Sequence, residues 1–404
     1  MRPTELLRTL LCAALLAASA PAALAQTDCA ERARRPTTEL GNLFTVGQTI
    51  TDLTNPFPLW QDGARYLRAR IRVTNAAACR WYVTLRDDEY RVVQTISAQD
   101  FCDANGGCKD GSIWTNRVSG ERAFVDFHGC VSGAVRPSVR VEEYVAMPDK
   151  VENPFYSTQE AIPRWQPLYA ASVANKFRAW GDPVGFMVSS WDRRSWSCSG
   201  VMVAPDLFLT NWHCGGARGM PEAGYWNSSV VDAVVIDLSW DDDRLSRDYV
   251  ARGVVARSRE LDFALLEVAP AGSSGGARPA PLGLADLARG DDLWVVHHPL
   301  AEQKRVSGCV VFKPKFPGWL PDSGDSDFTH QCDTEAGSSG APVFNSRGEV
   351  VGLHHRGFDL DPQCAPVLPK VNKAVRIDRI VNELCSVKAS KPYAERILGR
   401  ACTP

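Results

Sequence analysis

Residues 332–344 read "CDTEAGSSGAPVF", and the meaning of the whole chain turns on this stretch. Gly337-Ser338-Ser339-Gly340-Ala341-Pro342 follows Cys332-Asp333-Thr334 and precedes an apolar, strand-like Val343-Phe344. A turn this poor in side chain lets backbone N–H groups face a ligand while one hydroxyl stands clear. A Ser/Gly surface turn has the same composition, and short motifs of this kind are common. The rest of the chain has to decide between them.

Two upstream motifs bear on it. In "DLFLTNWHC" (206–214) a strand-like run ends on His213 and Cys214. Cys198, sixteen residues before Cys214 in "SWSCSG", is placed to staple the histidine's turn to the preceding strand. In "SRELDFALLEV" (258–268) Asp262 precedes an apolar strand. The order is therefore His213, Asp262, Ser339. A serine hydroxyl is a weak nucleophile that needs a general base within hydrogen-bond reach, and the base needs a group to orient it. Singly, His213 is compatible with a packed core histidine and Asp262 with a strand-start cap. Together and in order, beside a disulfide-ready cysteine pair, the three supply a base, an orienting acid and a nucleophile. A nucleophile elbow on an α/β-hydrolase fold requires the order Ser, acid, His. After Ser339 the chain offers His354 and His355, with Glu349 as the intervening acid in the same short stretch, which leaves no room for two separate loops.

The motifs "LTNWHC", "LDFALLEV" and "GSSGAP", taken in order, resemble the chymotrypsin-like (trypsin-fold) serine peptidases. The likeness is strongest to the bacterial branch of glutamyl and lysyl endopeptidases, which "WVVHHP" (294–299) and "VVGLHHRG" (350–357) also fit. It covers residues 175 to 388 and implies an all-β fold of two barrels with a C-terminal helix. The helix matches "VRIDRIVNEL" (375–384), whose Val375, Ile377, Ile380, Val381 and Leu384 have helical spacing. It implies His213 as general base, Asp262 as its orienting carboxylate, Ser339 as nucleophile, and the N–H groups of Gly337 and Ser339 as the oxyanion hole. Three departures stand out. Ser338 occupies the position where animal trypsins carry the Asp that receives a freed N-terminus, so activation here does not use that ion pair. Trp212 replaces a small residue before the histidine, and His355 sits where many relatives have a serine near the triad Asp.

The specificity pocket gives two signals. Asp333 lies six residues before Ser339, the pocket-floor position in the trypsin resemblance, where a carboxylate selects Lys or Arg. Thr334 and His354 stand where the glutamyl endopeptidases hold a substrate carboxylate. Both sets cannot act freely in one pocket, because an unpaired buried charge is expensive. Asp333 is also able to brace its own turn through backbone N–H groups. Basic side chains at the cleaved bond are the expectation, with the glutamyl type as the alternative. A non-catalytic adhesin on a protease scaffold is the alternative from another class, and its usual sign, a lost triad member, is absent from this sequence.

Ahead of this region, residues 26–148 alternate with the period of two expected of antiparallel strands. "YLRARIRV" puts Leu67, Ala69, Ile71 and Val73 on one face and Arg68, Arg70 and Arg72 on the other. The expectation is a β-sandwich, either a propeptide or a permanent accessory domain, in which His128 is structural. A proline-rich linker follows (149–174), then the peptidase domain (175–390) and a C-terminal tail (391–404). Residues 1–25 read as a secretory signal, with an apolar core from Leu10 to Ala18 and an Ala23-Leu24-Ala25 cleavage site. The expected location is secreted or periplasmic.

Removal of Cys12 with that signal takes 13 cysteines to an even number, which in an exported chain implies disulfides. Cys309–Cys332 would brace the approach to the serine turn. Cys79–Cys130, Cys102–Cys108 and Cys385–Cys402 follow from proximity, leaving Cys29 and Cys364. No histidine is spaced to complete a zinc set, and the acidic runs at 239–245 and 322–327 read as solvated loops. No metal or cofactor is expected. The charge is nearly balanced, 45 basic against 47 acidic residues, with no basic block for nucleic acid. No later segment is apolar enough for a membrane span. The partners expected are protein or peptide substrates, met by a monomer.

Overall fold

The computed structural model describes residues 38–51, 54–102, 107–130, 135–148, 156–159, 162–192, 194–217, 219–241, 247–271, 276–359 and 365–402. The signal segment, Cys29, Cys364 and most of the 239–245 loop lie outside them. The fold is mostly β, with two closed six-stranded barrels. The first runs Val184–Trp191, Val235–Asp237, Asp248–Ser258, Phe263–Pro270, Leu207–Thr210, Arg194–Ala204, and closes because the last strand pairs with the first. The second runs Arg305–Phe316, Asp292–His297, Pro342–Asn345, Val350–Arg356, Asn372–Arg376, Asp327–His330, and closes on Arg305–Phe316. Short runs such as "LFLT" and "VGLHH" are continuously apolar or buried because these strands have protein on both faces. Val201, Leu209, Leu265, Val296, Phe344 and Leu353 share one core between the barrels, and the site described below sits at the edge of that seam.

Two antiparallel sheets precede the barrels. One joins Thr38–Thr49, Ser138–Pro148, Ala64–Thr74 and Gly111–Trp114; the other joins Phe57–Trp60, Arg122–Gly129, Trp81–Arg86 and Val92–Ser97. They enclose one core, with Leu67, Ala69, Ile71 and Val73 facing Trp81, Val83, Leu85, Ala123 and Val125. The first sheet is continuous with the first barrel, since Thr38 pairs with Ser197 and Asn42 with Arg194. Arg68, on the polar face of its strand, is buried nonetheless. Its Nη2 reaches Asp237 at 2.9 Å and Asp248 at 2.8 Å, because the barrel covers that face.

The 156–167 segment lies over the second barrel. Tyr156–Ser157 pairs with Thr334–Glu335, and Gln166–Pro167 with Arg305–Val306. After the helix Ile377–Ser386, the expected tail holds a second helix, Lys391–Leu398. Tyr393 and Ile397 pack on the inter-barrel core, and Cys385–Cys402 ties the end back.

Candidate active site

Strand pairing brings the histidine and aspartate together. Thr210 pairs with Ala264, so the residues just outside that rung, His213 in a 3-10 turn and Asp262, fall side by side. The Asp262 carboxylate accepts from the His213 backbone N–H (3.0 Å) and meets its ring Nδ1 at 2.8 Å. Asn211 Nδ2 donates to the Asp262 carbonyl (2.9 Å). Asp262 has φ +47°, a left-handed conformation that short polar side chains tolerate. Both side chains are buried, and among the described residues His213 Nε2 has no hydrogen-bond partner.

A second imidazole shares this carboxylate. His355 Nδ1 lies 3.1 Å from Asp262 Oδ2, and its Nε2 lies 2.9 Å from Asp327 Oδ2. Burial opposes charge on His355, but Asp327 and then Asp262 outweigh it and raise its pKa to about 9. Burial likewise opposes charge on Asp262, yet His213 and His355 hold its carboxyl down at about 2. At neutral pH His355 is therefore an imidazolium between two carboxylates. Asp327 belongs to a run that reads in sequence as an acidic loop; its role is visible only once the second barrel places its strand and Val350–Arg356 on either side of Asn372–Arg376.

The serine turn is tied to both barrels. Ser199 N–H donates to the Ser339 carbonyl (2.7 Å), Ser199 Oγ to the Gly337 carbonyl (2.9 Å), and Gly340 N–H to the His354 carbonyl (2.8 Å). Gly340 has φ +83°, and a Cβ there would stand 2.2 Å from the Ser199 carbonyl oxygen. Gly337 has φ +92°. Ser338 Oγ is engaged by His297 Nδ1 (2.7 Å) and by the Glu335 N–H (3.0 Å), which ties it into the turn; Ser339 is the candidate nucleophile by its place after His213 and Asp262 in the ordered motifs. Cys198–Cys214 lies beneath this turn and beside His213. Cys309–Cys332, Cys79–Cys130, Cys102–Cys108 and Cys385–Cys402 are also joined.

Around the pocket, the Asp333 carboxylate accepts from the backbone N–H groups of Gln159 (2.6 Å) and Arg164 (2.7 Å). Thr334 and His354 are buried close by, and His354 Nδ1 lies 3.3 Å from His330 Nε2. Burial keeps both rings neutral, His330 near 3 and His354 well below the usual histidine range. A cleft of 340 Å³ lined by Trp212, Tyr225, Arg259 and Trp319 opens beside His213. Among the described residues, Cys198–His213–Cys214 and Cys309–His330–Cys332 come within metal-ligand distance. In both groups the sulfurs are joined as a disulfide, which leaves no thiolate to bind a metal.

Residues 198–353 match the family model of the trypsin-like peptidase domain. A glutamyl endopeptidase of Staphylococcus epidermidis is 27% identical over 188 residues, 44% of this chain and 60% of that protein. The glutamyl endopeptidase of another strain of that species is 27% identical over 173 residues, 40% of this chain and 55% of that one. The chain thus spans less than two thirds of the length of these curated relatives. Among solved structures, Rv3671c of M. tuberculosis in an inactive form is 18% identical with a TM-score of 0.40, over 57% of this chain and 97% of that one. Deg5 is 18% identical with a TM-score of 0.38, over 52% and 90%.

Proposed function

Because residues 198–353 belong to the trypsin-like peptidase domain family, related to the glutamyl endopeptidases, we propose that the chain is a serine endopeptidase acting through His213, Asp262 and Ser339. The observation that carries this reading is the His213–Asp262 pair: Nδ1 is held at 2.8 Å, while Nε2 has no partner among the described residues. That nitrogen takes the Ser339 proton as Oγ attacks the substrate carbonyl, and Asp262 stabilises the imidazolium formed. The N–H groups of Gly337 and Ser339 receive the oxyanion. The tetrahedral intermediate collapses to an acyl-enzyme, and His213 returns the proton to the leaving amine. A water deprotonated by the same histidine then frees the acid. A fluorophosphonate probe tests the reading: the wild type becomes labelled at Ser339, whereas a folded protein that stays unlabelled favours the binding-protein alternative.

For the cleaved bond we favour the acidic alternative over the basic one. Two backbone N–H groups already engage the Asp333 carboxylate, one on each oxygen, so an incoming Lys or Arg would have to share those oxygens with them. Thr334 and His354 stand at the positions that meet a substrate carboxylate in the glutamyl resemblance, and the matched relatives are glutamyl endopeptidases. In a peptide library, cleavage after Glu predominates and falls by about 10- to 100-fold in His354→Ala, the weight of one hydrogen bond to a charged group. Cleavage after Lys or Arg that disappears in Asp333→Asn restores the basic reading. The disulfides fit an oxidising compartment, and we place the protein outside the cytosol. Among the described residues no helix is long and apolar enough to cross a membrane.

A further inference from the structure

We propose that the N-terminal sheets act as a brace for the oxyanion hole, holding the Ala336–Gly337 peptide in its donating orientation through Trp240 and the 299–301 turn. The proposal rests on the serine-peptidase reading of the site.

The connection can be followed bond by bond. Two side chains of the N-terminal sheets grip the Trp240 ring: the Arg117 guanidinium lies 5.0 Å from its centroid, and the Tyr66 ring meets it edge-on at 5.1 Å. Arg117 is itself pinned, by an ion pair with Asp237 and by its Nη2 donating to the Ser239 carbonyl at 2.8 Å. Trp240 Nε1 donates to the Ala301 carbonyl (3.1 Å). The neighbouring Leu300 N–H donates to the Ala336 carbonyl (2.7 Å).

Two features make this chain of contacts a brace. Leu300 and Ala301 have φ of 52° and 56°, left-handed conformations that are unfavourable for residues with a side chain and persist only where the surroundings over-determine them. The Trp240 N–H bond on one side and the Ala336 carbonyl on the other are those surroundings. Second, a trans peptide points its C=O and N–H in opposite directions. Fixing the Ala336 carbonyl therefore fixes the Gly337 N–H, which donates to no protein acceptor among the described residues. Gly337 resists rotation little by itself, since glycine occupies both signs of φ. Ser338, the next residue, is neutral and engaged with His297 and Glu335, so no ion pair sets this peptide from that side. These residues position the oxyanion donor without touching substrate.

Trp240→Phe in the full chain tests this, because it removes the indole N–H and keeps an aromatic ring between Tyr66 and Arg117. Loss of an oxyanion donor lowers the rate by about 10²–10³-fold, and a loosened donor is expected to lower kcat by about tenfold. KM stays within about twofold, since an oxyanion donor acts in the transition state. Affinity for a peptide aldehyde, whose hemiacetal oxygen occupies the hole, falls in step with kcat. Amide exchange at Leu300 accelerates. Arg117→Gln gives the same pattern more weakly, and Arg117→Lys, which keeps the cation on the ring, restores most of the activity. A folded Trp240→Phe protein with wild-type kcat and wild-type exchange at Leu300 overturns the brace. A wild type that neither hydrolyses peptides nor takes up the fluorophosphonate rejects the peptidase reading instead. The exchange comparison then judges the coupling on its own.

Discussion

The Ser339→Ala protein folds like the wild type and hydrolyses peptides on the order of 10⁶-fold more slowly, the loss typical when a serine nucleophile is removed. The substitution deletes one oxygen and leaves the backbone bonds that anchor the turn. The Ser339 carbonyl still accepts from Ser199 N–H, the Gly337 carbonyl still accepts from Ser199 Oγ, and Cys198–Cys214 is untouched. The melting temperature therefore stays close to that of the wild type while fluorophosphonate labelling disappears. His213→Ala costs about as much, and the double variant is scarcely worse than either single one, because the two groups act as a unit. Substantial turnover by a purified Ser339→Ala protein would falsify the assignment of the nucleophile.

The second large effect concerns stability and its dependence on pH. The His355 pKa rises from its ordinary 6.5 to about 9 in the fold, against the pull of burial, because Asp327 and Asp262 flank the ring. Other groups facing it are His330 and His354, both neutral, and His213 across the Asp262 carboxylate. A raised pKa stabilises the fold fully below pH 6.5, and the contribution is lost as pH climbs through 9. The displacement amounts to about 3 kcal/mol, or a few hundredfold in the folding equilibrium. Asp262 behaves in the opposite sense: its depressed pKa contributes above the ordinary carboxylate range, and the contribution is lost as pH falls through about 2. Urea unfolding at pH 6 should therefore find His355→Gln less stable than the wild type by about 3 kcal/mol, with the gap closing near pH 10. Parallel stability curves for the two proteins across that range would refute the charged bridge.

How much of this was readable beforehand depended on distance along the chain. His213, Asp262 and Ser339 each end or begin a strand-like run, and their order is a property of the sequence itself. The alternation in "YLRARIRV" correctly sorted Leu67, Ala69, Ile71 and Val73 to the core. It could not say what lies against the other face, where the barrel acids Asp237 and Asp248 meet the buried Arg68. Asp327 was equally opaque. Its partner His355 is 28 residues away on another strand, and pairing of barrel strands, invisible to local pattern, brings them together. The 391–404 stretch passed for a tail because Pro392 and its charged residues mask a short amphipathic helix.

The bonds on Asp333 also say something about the order of events as the chain folds. They come from residues 174 and 169 positions earlier, and the same segment is stitched to Thr334–Glu335 and Arg305–Val306. Closing a long loop costs entropy before the contact returns anything, so such contacts form late. Each barrel closes through pairings internal to itself, whereas the substrate cleft needs both barrels and the strand-like segment ahead of them. The expected order is that the cleft takes shape last, which pulse-labelled hydrogen exchange at the Gln159 and Arg164 amides would check. On the peptidase reading, a newly made chain would bury its own apolar strands before it possessed a pocket able to grip one.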